Sequence, residues 1–374
     1  MNSSTSSHSR YERLPRVSIV LFLLTAFCLL LSLLFRLSPA FSDFFNQSIS
    51  QPLRWLLAFM TSWLPFSLAE GLLLFSPVLL GLLVFYAVRY HTGSWRAVGV
   101  YLAKLVSVAC LFFILFAFVF SAGYHGATLD SPKKLDLARQ DVSVDDLYQT
   151  AEHLIEQVNR EAANVVYEYK GFSVMPYTRE EMNRKLMTAY DKFCEDYDFL
   201  GHFNSRVKPV LLSIPMSYTH ITGVYSYFTG EANLNVNFPD YTLAFTAAHE
   251  LAHQRGIARE NEANFIAYLV CIGSDDAYLR YSGYLNMYEY VSSALYRADS
   301  SRYYEVNTLL KQAVRYEQIA YSAFFDQYRD SVAGNVSDTV NDTYLKLQGT
   351  EGTRSYGLVV DLAVAYDKKI SSQP

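Results

Sequence analysis

The pattern of apolar and polar positions divides the chain in two. Val17 to Phe35 reads VSIVLFLLTAFCLLLSLLF without a charge, close to the ~20 residues a helix needs to cross a ~30 Å hydrocarbon core. A second apolar run extends from Gly71 to Val88 with Pro77 inside it, and a third from Leu105 to Tyr124, just after Lys104. Three spanning helices are therefore expected, at about 17–36, 71–88 and 105–124. The first is read as an anchor and not as a cleaved signal, because Arg36-Leu37-Ser38-Pro39-Ala40 is a poor small-residue cleavage site.

Basic residues set the expected orientation. Arg10, Arg13 and Arg16 precede the first run, in a cytoplasmic tail of residues 1–16 whose Asn2 to Ser9 tip is Ser-rich and reads as disordered. Arg89, Arg96 and Lys104 surround the link between the second and third runs, which is expected on the same side. The stretch from about Leu37 to Ala69 balances Arg54 against Asp43 and carries Trp55, Trp63 and several Phe, as an interfacial segment on the outer face would. Three crossings put residues 125–374 outside, as an extracytoplasmic domain of a multi-pass protein of the cytoplasmic membrane.

That remainder is mainly helical by its periodicity. Leu147, Ala151, Leu154, Ile155 and Val158 recur at three- and four-residue steps inside Val142 to Val166. Further helices are predicted over Arg179 to Tyr197, Tyr241 to Gln254, Glu260 to Gly273, Tyr278 to Arg297 and Tyr303 to Tyr328. Strand character is confined to Pro209–Ile214 and Gly223–Val236, so the fold class is mainly α with a small β-sheet behind a three-helix transmembrane region.

Composition narrows the chemistry. With 374 residues, 51% hydrophobic, 18% charged and a formal net charge of -5, the chain lacks the broad basic surface of a nucleic-acid binder. Cys28, Cys110, Cys194 and Cys271 have no CxxC spacing, so a metal site must draw on other ligands. A Cys194 to Cys271 disulfide is conceivable, although Cys271 lies on a stripe of small residues and reads more simply as a buried hydrophobe.

One segment carries chemistry. His249-Glu250-Leu251-Ala252-His253 puts two imidazoles four residues apart, hence on one face of a helix, where both can hold one zinc ion. Glu250 lies a further ~100° around, placed to act as general base on a water that the metal activates. HExxH alone recurs by chance in roughly one chain in a hundred of this length, so context decides. Here the motif closes an apolar helical run, and Gly256 is a natural residue to end the helix and bring its successor back alongside.

A catalytic zinc needs a third protein ligand and an open position. Glu260 and Glu262 are the nearby carboxylates, ~200° apart on a helix, so only one can face the metal. The stripe through Glu260 continues as Ala263, Asn264 and Ala267, small enough for close helix approach. Glu262 continues as Phe265, Ile266 and Leu269, a core face. Glu260 is thus the better ligand, with Glu262 the alternative. Asn264, one turn on, would hydrogen-bond a ligand histidine.

HELAH followed by RENEANFIA resembles the gluzincin-type zinc metallopeptidases, in which a Glu in an ExxAD or ExxAN setting on a second helix completes the metal site. Glu260, Ala263 and Asn264 match that setting, with only six residues between His253 and Glu260 where gluzincins usually have more. Together with the three apolar runs, GEANLN at Gly230–Asn235 and SYGLVVDLAVAY at Ser355–Tyr366, the chain resembles a bacterial membrane family described as domain of unknown function 3810. The resemblance implies a zincin-like domain, a Zn²⁺ cofactor and a peptide or protein substrate.

The expected function is hydrolysis of peptide bonds by a membrane-anchored zinc peptidase, with His249, His253 and Glu260 as ligands and Glu250 as base. The alternative is a non-catalytic sensor or assembly factor that retains a structural zinc. Partners are then the lipid bilayer and a polypeptide, with no nucleic acid; the pattern sets no oligomeric state. Gly230 to Asn235 is expected to lie along the cleft and pair with substrate. Arg354, Tyr356, His220 and Tyr225 are conceivable oxyanion donors, none fixed by spacing; His202 and His220 otherwise read as structural.

Overall fold

In the computed structural model, residues 13–91, 94–138, 140–169, 171–352 and 358–372 are described. The Ser-rich tip, Arg10, Arg354 and Tyr356 lie outside them. The protein is mainly helical with small sheets, and three of its helices are long and apolar enough to cross a membrane.

The first of these, α1, covers Arg16–Leu37. Ser38 ends it and caps the next helix, α2 (Pro39–Phe45), by accepting from Phe41 N. A π-turn at Asn46–Ser50 leads into α3, Gln51–Ser62. The second apolar helix, α4, is Leu68–Tyr90, with Ser67 as its N-cap. The third, α5, is Trp95–Val119, followed by a 3₁₀ turn at Ser121–Tyr124. It starts ten residues before the expected Leu105, because Lys104 is no boundary: its ammonium rests 5.9 Å from the Tyr86 ring centroid. The start of the helix is set by Ser94, whose hydroxyl accepts from Ala97 N at 3.2 Å.

The remainder wraps around one hydrophobic core. Its elements are α6 (Val144–Glu161), the short hairpin β1 (Val166–Tyr167) and β2 (Ser173–Val174), and α7 (Arg179–Asp196). Then come β3 (Val207–Pro209), α8 (Ser213–Ser217), β4 (Gly223–Ser226) and β5 (Glu231–Leu234). Helices complete the chain: α9 (Asp240–Gln254), α10 (Glu260–Ile272), α11 (Ala277–Ala298), α12 (Ser300–Asn307), α13 (Gln312–Arg329), α14 (Val332–Leu347) and α15 (Val359–Ser371). The sheet order is β3-β5-β4, with β3 parallel and β4 antiparallel to β5. The core is built from Leu154, Leu186, Phe265, Tyr281 and Leu285, all at most 4% exposed, with α9 and α10 inside it.

Three sequence expectations change for identifiable reasons. The strand expected over Pro209–Ile214 lies earlier, at Val207–Pro209, and shares only Pro209 with that range, because the Glu70 carboxylate takes Leu211 N (2.9 Å) and Leu212 N (2.8 Å) and turns the chain into α8. The single strand over Gly223–Val236 is a hairpin, turned at Gly230 with φ of +72°. The helix over Tyr303–Tyr328 is broken, since Asn159 accepts from Lys311 N and donates to Leu309 O, both at 2.8 Å, and so satisfies the break.

The segment between the first two apolar helices is not merely interfacial. Glu231, on the central strand, accepts from Leu68 N and Ala69 N at 2.9 Å and so caps α4 with a charge its N-terminus favours. Lys208 on β3 pairs with Glu231 at 2.6 Å and donates to Thr61 O at 2.8 Å. The buried pair rivets the sheet to the N-terminal helices, so the two regions share polar interior groups.

Candidate metal centre

The histidines sit on a helix whose side chains are almost all buried; only Asp240 and His249 are partly exposed. The helix stops at Arg255 because Gly256 adopts φ of +99°. Gly256 N then bonds to His253 O (2.9 Å) and Ile257 N to Ala252 O (3.1 Å), a glycine-closed reversal. This turn starts α10 at Glu260, only seven positions after His253. The shortness of the linker, unlike the gluzincin spacing, is a consequence of that tight reversal.

Three donor atoms converge. His249 Nε2 lies 3.2 Å and His253 Nε2 lies 3.5 Å from Oε2 of Glu260, and all three donors fall within 4.8 Å of one another. Zinc bonds of about 2.1 Å in a tetrahedron put neighbouring ligand atoms ~3.4 Å apart, a length that the two imidazole–Glu260 distances match. His249 and Glu260 keep 12% and 15% of their side-chain surface, which leaves the cluster open on one side.

Hydrogen bonds and charge prepare the donors. His253 Nδ1 donates to Ile257 O at 2.6 Å, which leaves Nε2 as the lone-pair donor. The expected partner, Asn264, does not do this; it stands against the Tyr290 hydroxyl on α11, a full turn beyond the metal face. Burial by itself would lower His253, yet the Glu260 carboxylate pushes it up to about 9. Burial would likewise raise Glu260, but the two imidazoles pull it well below the usual carboxylate range. The cluster is therefore a buried negative charge that needs a proton or a cation among its donors.

Glu262, the alternative ligand, points the other way. Its Oε1 accepts from Leu129 N (3.1 Å) and pairs with Arg259 (2.9 Å), holding the chain that leaves α5 against α10. Glu250 has a different environment. It is 4% exposed, its Oε2 has no hydrogen-bond partner, and burial pushes it up to about 7 against the opposing pull of His249 and His253. Gly223 on β4 faces it so closely that a Cβ there would stand 2.5 Å from Glu250 Oε1.

The strand beside Glu250 is thus β4 and not the expected Gly230–Asn235. β5, within that stretch, is central in the sheet, paired on both sides and wholly buried, so its backbone is already used. β4, like β3, is an edge strand. A family model described as protein of unknown function (DUF3810) matches residues 41–364. The chain belongs to that family. No curated protein and no solved structure matches it.

In this DUF3810 chain the surroundings of the site hold residues that spacing alone did not single out. Arg54 is fully buried and donates to Asn46 Oδ1, Val119 O and Arg255 O. The signal that could have marked it is a lone cation inside an aromatic, apolar segment. Tyr290 and Tyr344 stand near Glu260; burial raises both hydroxyls, with the carboxylate adding to it, Tyr344 to about 12. Tyr344 also shares a hydrogen bond with Tyr124 at 3.1 Å.

Of the expected oxyanion donors, His220 is occupied elsewhere, with Nε2 2.8 Å from Tyr328 O. The Tyr225 hydroxyl is buried without a partner on the Phe120 side of the sheet. His202 pairs at the surface with Asp191. Cys194 and Cys271 are both free thiols, with Cys271 buried in the core.

Proposed function

We propose that this chain is a membrane-anchored zinc metallopeptidase with a zincin-like catalytic domain. Supporting the reading above all is the convergence of the three donors within 4.8 Å of one another, with both imidazoles at zinc-tetrahedron spacing from Glu260, beside a buried carboxylate that is not part of the cluster. His249, His253 and Glu260 would hold the ion. When bound, zinc would supply Lewis-acid polarisation of a carbonyl and acidify a water at the open side.

The remaining steps belong to the protein. Glu250 takes a proton from the attacking water; the hydroxyl oxygen joins the scissile carbonyl carbon, the C–N bond breaks, and Glu250 returns the proton to the amine nitrogen. Its unpartnered Oε2 favours this over a structural metal site, where a buried carboxylate without a hydrogen bond would only cost stability. The outer strand β4 supplies the edge along which an extended peptide would pair.

The three apolar helices support three crossings of the cytoplasmic membrane, and the basic residues Arg13, Arg16, Arg89 and Arg96 support an extracytoplasmic domain. The test is metal analysis of purified protein together with hydrolysis of a quenched peptide mixture. Wild type should carry one zinc and cleave, while Glu250→Gln should keep the zinc and lose at least ~100-fold in rate, the size of a general-base contribution. Equal rates for the two proteins would assign the metal to structure alone.

A further inference from the structure

The metal centre adjoins the end of an apolar helix. His253 meets Phe120, the residue that closes α5, with ring centroids 5.9 Å apart. One and two turns back on the same face, Phe116 packs on Tyr227 at 5.4 Å and Phe112 on Phe228 at 5.7 Å. Both partners belong to the turn between β4 and β5. From Phe112 to Phe120 the helix rises ~12 Å, so the β4–β5 turn reaches back beside residues of the spanning stretch itself. The Tyr101 hydroxyl donates to Leu83 O at 2.9 Å and so ties α5 to α4.

The protein surface at this level is apolar and turned outward. Helix α3 buries Arg54, Ala58 and Thr61 and exposes Trp55, Leu56, Phe59, Met60 and Trp63, the reverse of a helix that faces water. Gly230, in the β4–β5 turn, abuts α3 so tightly that a Cβ would stand 2.7 Å from Ala58 N. Leu211, in the loop that Glu70 ties to the first turn of α4, and Ile214, in α8 just after it, are 76% and 61% exposed. Aromatic and aliphatic groups at the ends of spanning helices belong in the headgroup layer. β4 runs from Gly223, against Glu250, to Ser226, where the following turn meets α3 and α5.

We infer that the substrate is a polypeptide held in the same bilayer by its own apolar anchor, bound through the extended residues next to that anchor and paired along β4. The inference rests on the peptidase reading and names its substrate class. An extended segment of about four to six residues covers ~14–20 Å, enough to bring a peptide bond from the headgroup layer to Glu250. Hydrolysis there adds water across that one bond and parts a soluble fragment from an anchored stub. An anchored chain also meets the site at a raised local concentration, so the distance between anchor and bond, and not anchoring as such, is the distinguishing variable.

The experiment uses the full-length, zinc-loaded protein in phosphatidylcholine vesicles. One randomised peptide segment is supplied free, or joined to a membrane-spanning apolar helix through spacers of about 4, 10 or 25 residues, lengths chosen from the reach of an extended chain. The ~4-residue form should be cleaved at least tenfold faster than the free form and than the ~25-residue form at equal surface density. Equal rates for free and anchored forms, or for short and long spacers, overturn the inference and leave the peptidase reading intact. Zinc binding with no cleavage of any form overturns the peptidase reading. In that event a photo-crosslinker in the short-spacer peptide decides the present point on the Glu250→Gln protein. Crosslinks confined to residues 221–226 support it, and crosslinks elsewhere or absent refute it.

Discussion

The guanidinium of Arg54 donates to the carbonyl of Arg255, 3.4 Å away, just past the helix that carries His249 and His253. The same group donates to Val119 O at 2.7 Å, at the end of α5. One buried cation thus satisfies the carbonyl ends of two helices and meets the negative ends of both their dipoles. Burial lowers its pKa to about 10, so it stays charged at neutral pH. Arg54→Met would strand these carbonyls at a cost of about 3 kcal/mol. A lower unfolding temperature in detergent and weaker zinc retention are expected, with Arg54→Lys restoring part of both. Unchanged zinc retention in the methionine variant would show that the metal helix does not lean on α5.

Gly256 turns the chain between the helix of His249 and His253 and the helix of Glu260. A side chain there meets both the φ of +99° and the Arg54 guanidinium, whose Nη2 would stand 2.3 Å from a Cβ. The backbone term alone costs ~1–2 kcal/mol, and the clash adds to it. Gly256→Ala should therefore destabilise the protein and displace Glu260 from the imidazoles. Denaturant titration with parallel zinc analysis checks both effects; retention of wild-type zinc affinity would mean that the turn can relax without moving the ligand.

Glu260 and Glu262 should respond in opposite ways. Glu260→Ala removes the donor shared by both histidines and should weaken zinc binding by more than the ~100-fold that loss of an outer-sphere partner can cost. Glu262→Ala should leave the metal in place and cost about 1–3 kcal/mol, because Leu129 N and Arg259 lose their acceptor. A competition titration against a chelator separates the pair. Zinc lost from the Glu262 variant and kept by the Glu260 variant would reverse the ligand assignment.

Glu289 lends the fold a pH dependence away from the metal. Burial raises its folded-state pKa to about 7, although the Tyr241 hydroxyl donates to it at 3.0 Å and opposes the shift. A folded state with a raised pKa binds more protons than the unfolded one, so its contribution is full below the ordinary glutamate value of ~4.3. It is lost as pH rises through about 7. Stability should fall across that window, and Glu289→Gln should flatten the slope. Denaturation midpoints at a series of pH values provide the measurement; an unaltered slope in the glutamine variant would exclude Glu289 as its source.

Local pattern carried the elements that depend on neighbours in the chain. Charge-free runs announced α1, α4 and α5, and the four-residue spacing of His249 and His253 put them on one helical face because helix geometry is local. Glu260 was favoured over Glu262 by the small stripe behind it, which is a packing argument legible from residue size. Asn264 reaches neither histidine: the group at His253 Nδ1 is a main-chain carbonyl, Ile257 O, which has no signature in a side-chain pattern.

The sequence by itself determined the apolar helices, the helical character of the rest and the convergence of two imidazoles, because each follows from periodicity and chain connectivity within a few turns. Only the tertiary structure decided which strand borders Glu250, that Arg54 holds two helix ends, and that His253 abuts Phe120, 133 positions earlier in the sequence. Those relations arise when buried polar groups distant in the chain must find partners on folding. Such partners are set by three-dimensional packing, and no periodicity along the chain encodes them.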